Sequence, residues 1–336
     1  MKNKKSSIMF RSQVIAGILS LCGFLAWAMG ASAEEAKPSP EAKAPAPPKV
    51  RAVAGLRVGF MAYWQGETEM VIKAANVENH RRVDAACAGL HPLSFTQGGA
   101  AAVPERARVA LEKGDVDALL ICMWASYPPR WYGRVGERSS LSELAALGAK
   151  NNKEFRILWH AFLMPDFDKP TAEGQRPTLN VKRSKESLIA QRKQLEAEVD
   201  GVNARLGRRV AWIVPVADAG LALMDEVAAG KFPGIKDAGE LFMSSAPTPK
   251  ANYLEGGWVP GRHLIALAAY CHYATLYRSS PEGLEVPFPE FKTKPKGAPA
   301  EISLGKLTAA ENEILQRIAW ETVSKYSYSA TTTPTR

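Results

Sequence analysis

The run "VDALLICMW", Val116–Trp124, is the feature that most limits what this chain can fold into. From Ala118 to Trp124 no polar residue interrupts it. A strand with one wet face alternates apolar and polar side chains, so an unbroken run belongs to a strand covered on both faces. Strands of that kind sit inside parallel sheets, and parallel neighbours need a crossover, usually a helix. The flanking sequence supplies such crossovers. "GLRVGFMAY" reads as a strand and "GETEMVIKAANVENH" as a helix. "DAACAGLHPLSF" reads as a weaker strand. "PERARVALEKG" opens with Pro and closes with Gly, as helices tend to.

The same alternation continues downstream. "SLSELAALGAK" is a helix with a serine cap, "FRILWHAFL" a strand, and "SKESLIAQRKQLEAEVDGVNARLG" a long amphipathic helix. "RRVAWIVPV" is a strand and "AGLALMDEVAAGK" a helix. Two further helices are expected, one starting at His263 and one over "TAAENEILQRIAWETVSKY". This βαβα order predicts an α/β fold of three layers, α/β/α, with a flavodoxin-like parallel sheet. No internal repeat is visible.

The N-terminus does not belong to that pattern. "MKNKKSSIMFR" is basic, "VIAGILSLCGFLAWAM" is apolar, and "ASA" then precedes "EE". This is the order of a secretory signal peptide, residues 1–33, with cleavage after Ala33 and a secreted or periplasmic product. The apolar run is short for a membrane span. An uncleaved anchor is the alternative, and no span is expected after cleavage. Residues 34–52 form a Pro/Ala-rich linker with nothing to bury. A single domain is expected over 53–330, with a disordered tail at 331–336.

Charge and cysteines narrow the function. The formal charge of +9 falls to about +5 once the four cations of the leader are removed. The remaining basic residues form scattered pairs without interleaved aromatics, which argues against nucleic acid as a partner. Cys87, Cys122 and Cys271 lie in apolar segments without metal-like spacing and read as buried free thiols. No metal site and no cofactor motif is present: there is no H-E-x-x-H, P-loop or G-x-G-x-x-G.

In open parallel sheets ligands bind beyond the carboxyl ends of the strands. The loops expected there carry Tyr63, Trp64, Trp124, Tyr127, Trp131 and Trp258, rings that can either pack the loops or bind flat apolar ligand faces such as those of sugars. Glu67, Glu69, Asp166 and Asp168 lie near strand ends and suit acid–base work or helix capping equally. Asp218, directly before a helix, reads as a cap. His160, inside a strand, reads as a core histidine, while His80 and His91 have no evident partner. His263 and His272, nine residues apart on one helix, face opposite ways and cannot share a metal. His263 is expected at a helix start on the rim of the site.

Several of these segments together resemble the SGNH/GDSL hydrolases, in particular exported bacterial members. The resemblance rests on the βαβ order, Gly98-Gly99, the strand "VDALLICMW", "VAWIVPVADA" and the helix "HLIALAAYCHYATLYRSSPEGLEVP". It covers roughly 56–287 and implies ester hydrolysis on acylated carbohydrate or lipid. It would make His263 the catalytic histidine and Gly98 or Gly99 the oxyanion glycine. The family serine would fall within "GFMAYWQG", which has no hydroxyl, and the family asparagine within "CMWAS", which has no Asn. Pro260 stands where the family has its aspartate. Without a hydroxyl beside the base no acyl-enzyme forms by the usual route.

Two functions follow as expectations. One is a degenerate hydrolase-like protein that binds carbohydrate or cell-envelope glycan through the aromatic rim. The other is an active esterase or deacetylase on acylated glycan or lipid, with His263 and a displaced nucleophile such as Ser126.

Overall fold

The structure is a computed structural model of the chain. It describes residues 54–61, 64–85, 105–123, 140–161, 165–168, 178–244, 258–293, 302–329 and 331. In chain order the larger elements are β1 (Arg57–Met61), α1 (Gln65–Ala74), β2 (Arg81–Val83), α2 (Glu105–Glu112), β3 (Ala118–Met123), α3 (Ser140–Asn151) and β4 (Arg156–Ala161). Two short strands follow, β5 (Phe167–Asp168) and β6 (Thr178–Leu179), then α4 (Val181–Leu206), β7 (Ala211–Val214) and α5 (Val216–Ala228). The chain continues through β8 (Phe242–Ser244), β9 (Trp258–Pro260), α6 (Arg262–Tyr277), β10 (Phe291–Thr293), β11 (Ile302–Gly305) and α7 (Ala309–Lys325).

Five strands form one sheet in the order β2-β1-β3-β4-β7, and every pairing in it is parallel. This is the 2-1-3-4-5 order of flavodoxin-like sheets, whose switch point lies between β1 and its neighbour β3. The apolar run of β3 is central, as its sequence requires: Ala118, Leu119, Leu120 and Ile121 are fully buried between β1 and β4. Helices α1, α5, α6 and α7 pack with one another, as do α2, α3 and α4, giving the three-layer α/β/α arrangement. The other strands are antiparallel pairs of two to four residues each, β5–β6, β8–β9 and β10–β11. No helix among the described residues is long and apolar enough to cross a membrane.

Local chemistry explains most boundaries. The segment "RRV" pairs with β1 as β2, upstream of the strand expected from "DAACAGLHPLSF", most of which lies outside the described residues. Helix α4 starts three residues earlier than its charged segment suggests, because Asn180 caps it by accepting the Arg183 N–H at 3.0 Å. Thr308 and Glu311 close a reciprocal capping box on α7. Helix α6 is different in kind. From His263 to Tyr277 only Ile265 is not buried, and a helix with no wet face can exist only inside a layer.

Gly148, inside α3, tests how tightly the layers meet. A β-carbon there would lie 2.3 Å from the ring of Phe155, itself 1% exposed at the entrance to β4. Replacing a mid-helix glycine by alanine ordinarily gains about 1 kcal/mol. Overpacking a rigid core ring costs about 1–3 kcal/mol. The clash should win, and Gly148→Ala should lower the unfolding free energy by about 1–2 kcal/mol in urea titrations. A variant more stable than the parent would show that the α3–β4 contact can yield.

Candidate functional site

Most polar side chains of α6 find partners on other elements, whereas Thr275 donates to the Cys271 carbonyl within the helix. Near its start, His263 is 4% exposed and packs edge-on against Phe232, with ring centroids 5.2 Å apart. Its Nε2 lies 2.8 Å from Glu311 Oε1 in the first turn of α7. Arg262 Nη2 donates to the same oxygen at 3.0 Å, and the Thr308 N–H donates to Glu311 Oε2 at 2.6 Å. Burial alone would raise the Glu311 carboxyl, but the Thr308 N–H, His263 and Arg262 together bring it down to about 2. It is therefore ionised and favours the tautomer in which His263 Nε2 carries the hydrogen that faces it, with Arg262 Nε also 3.2 Å from that nitrogen. Burial lowers the His263 pKa, Glu311 opposes that, and Arg262 adds to the lowering.

His263 thus begins its helix as its sequence suggests, but inside the protein rather than on an exposed rim. In a serine–histidine–carboxylate arrangement the carboxylate orients Nδ1 and leaves Nε2 for the nucleophile. Here Nε2 faces a carboxylate. Among the described residues no hydroxyl hydrogen-bonds to the His263 ring.

Nine residues further on, about 13 Å along the helix axis, His272 meets the carboxyl end of the sheet. Its Nε2 is 2.7 Å from His160 Nδ1 on β4, and its Nδ1 is 2.8 Å from Thr68 Oγ1 in α1. Thr68 Oγ1 in turn donates to the Trp64 carbonyl at 2.9 Å, and so does the Thr68 N–H at 3.0 Å. Because the threonine proton goes to that carbonyl, His272 must donate from Nδ1 and accept at Nε2 from His160 Nδ1–H. Thr68, His160 and His272 are each 0% exposed. Burial holds His160 well below its ordinary value, reinforced by His272, and pushes His272 down to about 3.

The chain of bonds ends where it began. The rings of His160 and Trp64 lie 5.4 Å apart at 44°. Trp64, half-buried ahead of α1, has φ 59° and ψ 36°, the left-handed region that a non-glycine residue occupies at a cost of about 1–3 kcal/mol.

A third linkage closes the far end of α6, where the Tyr277 hydroxyl is 2.6 Å from His80 Nδ1 and His80 Nε2 lies 3.0 Å from both oxygens of Glu69. His80 and Glu69 are therefore joined in a polar staple near the amino edge of the sheet. Asp166 and Asp168 both pair with Arg183 at 2.8 Å, fastening the β5–β6 pair to the start of α4. Asp218 lies in the first turn of α5, not at its cap, and pairs with Arg192 at 2.5 Å. It opens onto a groove between α5 and α7 of about 370 Å³, where Arg317 is already matched by Glu226 and Glu321.

Of the residues expected from sequence to act as catalytic, oxyanion or ring-binding groups, His263 and Trp64 are placed with their side chains, and they belong to different clusters. Trp258 opens β9, and its side chain is not described. Tyr63, Gly98, Gly99, Trp124, Ser126, Tyr127 and Trp131 lie outside the described residues, as do His91 and Cys87. Cys122 and Cys271 are buried free thiols. Among the described residues no group of three or more His, Cys, Asp or Glu side chains could hold a metal ion. Thr68, His272 and Glu311 carried no signal as a set, because each meets its partner only through the fold. Comparison with protein-family models, with curated proteins and with solved structures finds no match.

The neutral imidazoles give stability a pH dependence of defined sign. The native His272 stays unprotonated down to about 3, while in the unfolded chain it takes up a proton below about 6.5. The unfolded state then holds more protons, so this contribution is complete above about pH 6.5 and is lost as pH falls toward 3. For His272 alone the loss by about pH 5 is roughly 2 kcal/mol, and the lowered His160 and His263 act in the same direction. Glu311 contributes only below about 4.5, in its own acid window. Urea unfolding at about pH 7, 6 and 5 should show this fall before most carboxylates titrate. A flat profile over that range would contradict neutral burial.

Proposed function

We propose that this chain is an exported SGNH/GDSL-hydrolase-like protein whose catalytic centre is degenerate. In this reading it binds carbohydrate or cell-envelope glycan at the carboxyl edge of its sheet. The observation that carries the reading is the commitment of His263 Nε2 to Glu311 at 2.8 Å. A base must present that nitrogen, unprotonated, to a hydroxyl or a water. Here its hydrogen is held by an ionised carboxylate that also caps α7. Two sequence features support the same conclusion: "GFMAYWQG" has no serine after β1, and Pro260 replaces the carboxylate that would orient His263. The leader-like order of residues 1–33 supports export to a secreted or periplasmic location. Tyr63, Trp64, Trp124, Tyr127, Trp131 and Trp258, which the sequence sets in the segments after its expected strands, support a sugar ligand.

The test uses the chain from Glu34 onward, assayed on p-nitrophenyl acetate and acetylated xylo-oligosaccharide and then on a polysaccharide and peptidoglycan retention panel. Hydrolysis should be no faster than that of His263→Gln, which keeps a donor for Glu311, and at least one glycan should retain the protein. Turnover that His263→Gln removes by a hundredfold or more would replace this reading with an active ester hydrolase, and Ser126 would be the first nucleophile to substitute.

A further inference from the structure

The bonds around Trp64 form a closed circuit. It leaves the residue at its carbonyl and runs through Thr68 Oγ1, His272 and His160. It returns through the packing of His160 on the Trp64 indole. We propose that Thr68, His272 and His160 are positioning residues that hold Trp64 as a preformed platform for the ring face of a sugar. The inference rests on the carbohydrate-binding reading above and gives it a place: the connection after β1, beside the switch point between β1 and β3.

Three observations favour this over simple helix packing. First, Thr68, His160 and His272 have no exposure, yet apolar side chains of similar volume could fill the same space without desolvating three polar groups. What a directed polar network adds is a single geometry. Second, that geometry is spent on a strained residue. Trp64 is left-handed although it is neither glycine nor asparagine, and two donors from Thr68 converge on its carbonyl. Strain of this kind persists where the surroundings over-determine it, and it concentrates at binding sites. Third, the circuit spans the sheet edge. Trp64 follows β1, and His160 is near the end of β4, two strands away, so their contact brings the indole toward the carboxyl ends of β3 and β4. Ligands of such sheets bind at that edge. A rigid indole also spares the entropy of ordering a mobile one on binding.

The test follows Trp64 itself. In the chain from Glu34 onward labelled with ¹⁵N-tryptophan, the Trp64 indole N–H is identified by its loss in Trp64→Phe. In Thr68→Val and His272→Gln that signal should shift and broaden or split, while those of Trp159, Trp212 and Trp320 hold. Thr68→Ser, which keeps the hydroxyl, should restore the parent signal. Titration with a β-1,4-linked N-acetylglucosamine tetramer should move the Trp64 signal in the parent. Its Kd should weaken tenfold or more in Thr68→Val and stay within about threefold in Thr68→Ser.

If Thr68→Val does not fold, Thr68→Ala takes its place beside His272→Gln. A Trp64 signal unchanged in folded variants of both positions overturns the positioning role. A parent signal that broadens in the variants but ignores the tetramer and every glycan of the panel leaves the positioning role standing and sinks the carbohydrate reading.

Discussion

Helix α6 has almost no solvent face, and the rest of the molecule is arranged around that constraint. A buried helix satisfies its backbone internally, but a polar side chain too long to bond back to its own helix needs a partner from another element. His263 takes Glu311 from α7, and His272 takes His160 from β4 and Thr68 from α1. Tyr277 takes His80 ahead of β2, while Tyr270 donates to Asn312 and also bonds Gln316 on α7. Between these fixed points small residues such as Ala266, Ala268, Ala269 and Ala274 let the neighbouring layers approach. The helix therefore sets the relative positions of α1, α7 and the sheet through a few directed bonds, not through apolar contact alone.

This arrangement separates two histidines that a linear reading treats alike. His263 holds the position that the SGNH resemblance would make catalytic, but its Nε2 is turned to a carboxylate that also serves as a helix cap. His272 lies level with the carboxyl end of β4, the edge at which open parallel sheets in general bind ligands, yet it is fully buried, neutral and bonded at both nitrogens. Neither imidazole presents an unprotonated nitrogen to a reacting group among the described residues. His272, unlike His263, is tied through Thr68 to the Trp64 carbonyl.

The layered architecture was legible in the sequence because it is written in local patterns. The unbroken apolar run at β3 demanded cover on both faces, and the βα alternation supplied it. The boundaries that slipped were set by side chains a few residues away, such as Asn180 at α4 and the "RRV" pairing of β2. The short pairs β5–β6, β8–β9 and β10–β11 are too brief to leave a periodic signal. The site was far less legible. Glu311 lies 48 positions from His263, His160 lies 112 from His272, and Thr68 lies 204 from it. No spacing rule links residues so far apart, and Thr68 in particular reads as one polar residue in a mixed helix until α6 is placed against it.

The central claim is that α6 carries a neutral imidazole whose two nitrogens have fixed, opposite roles. Long-range ¹H–¹⁵N correlation spectra of the protein labelled with ¹⁵N-histidine read those roles directly. His272 should show a protonated Nδ1 and an unprotonated Nε2, assigned by loss of its signals in His272→Gln, and it should not titrate between about pH 7 and 5. Its Nε2 should accept the hydrogen of a His160 that is likewise protonated at Nδ1. A His272 that titrates near its ordinary value of 6.5, or that carries its hydrogen on Nε2, would contradict the account.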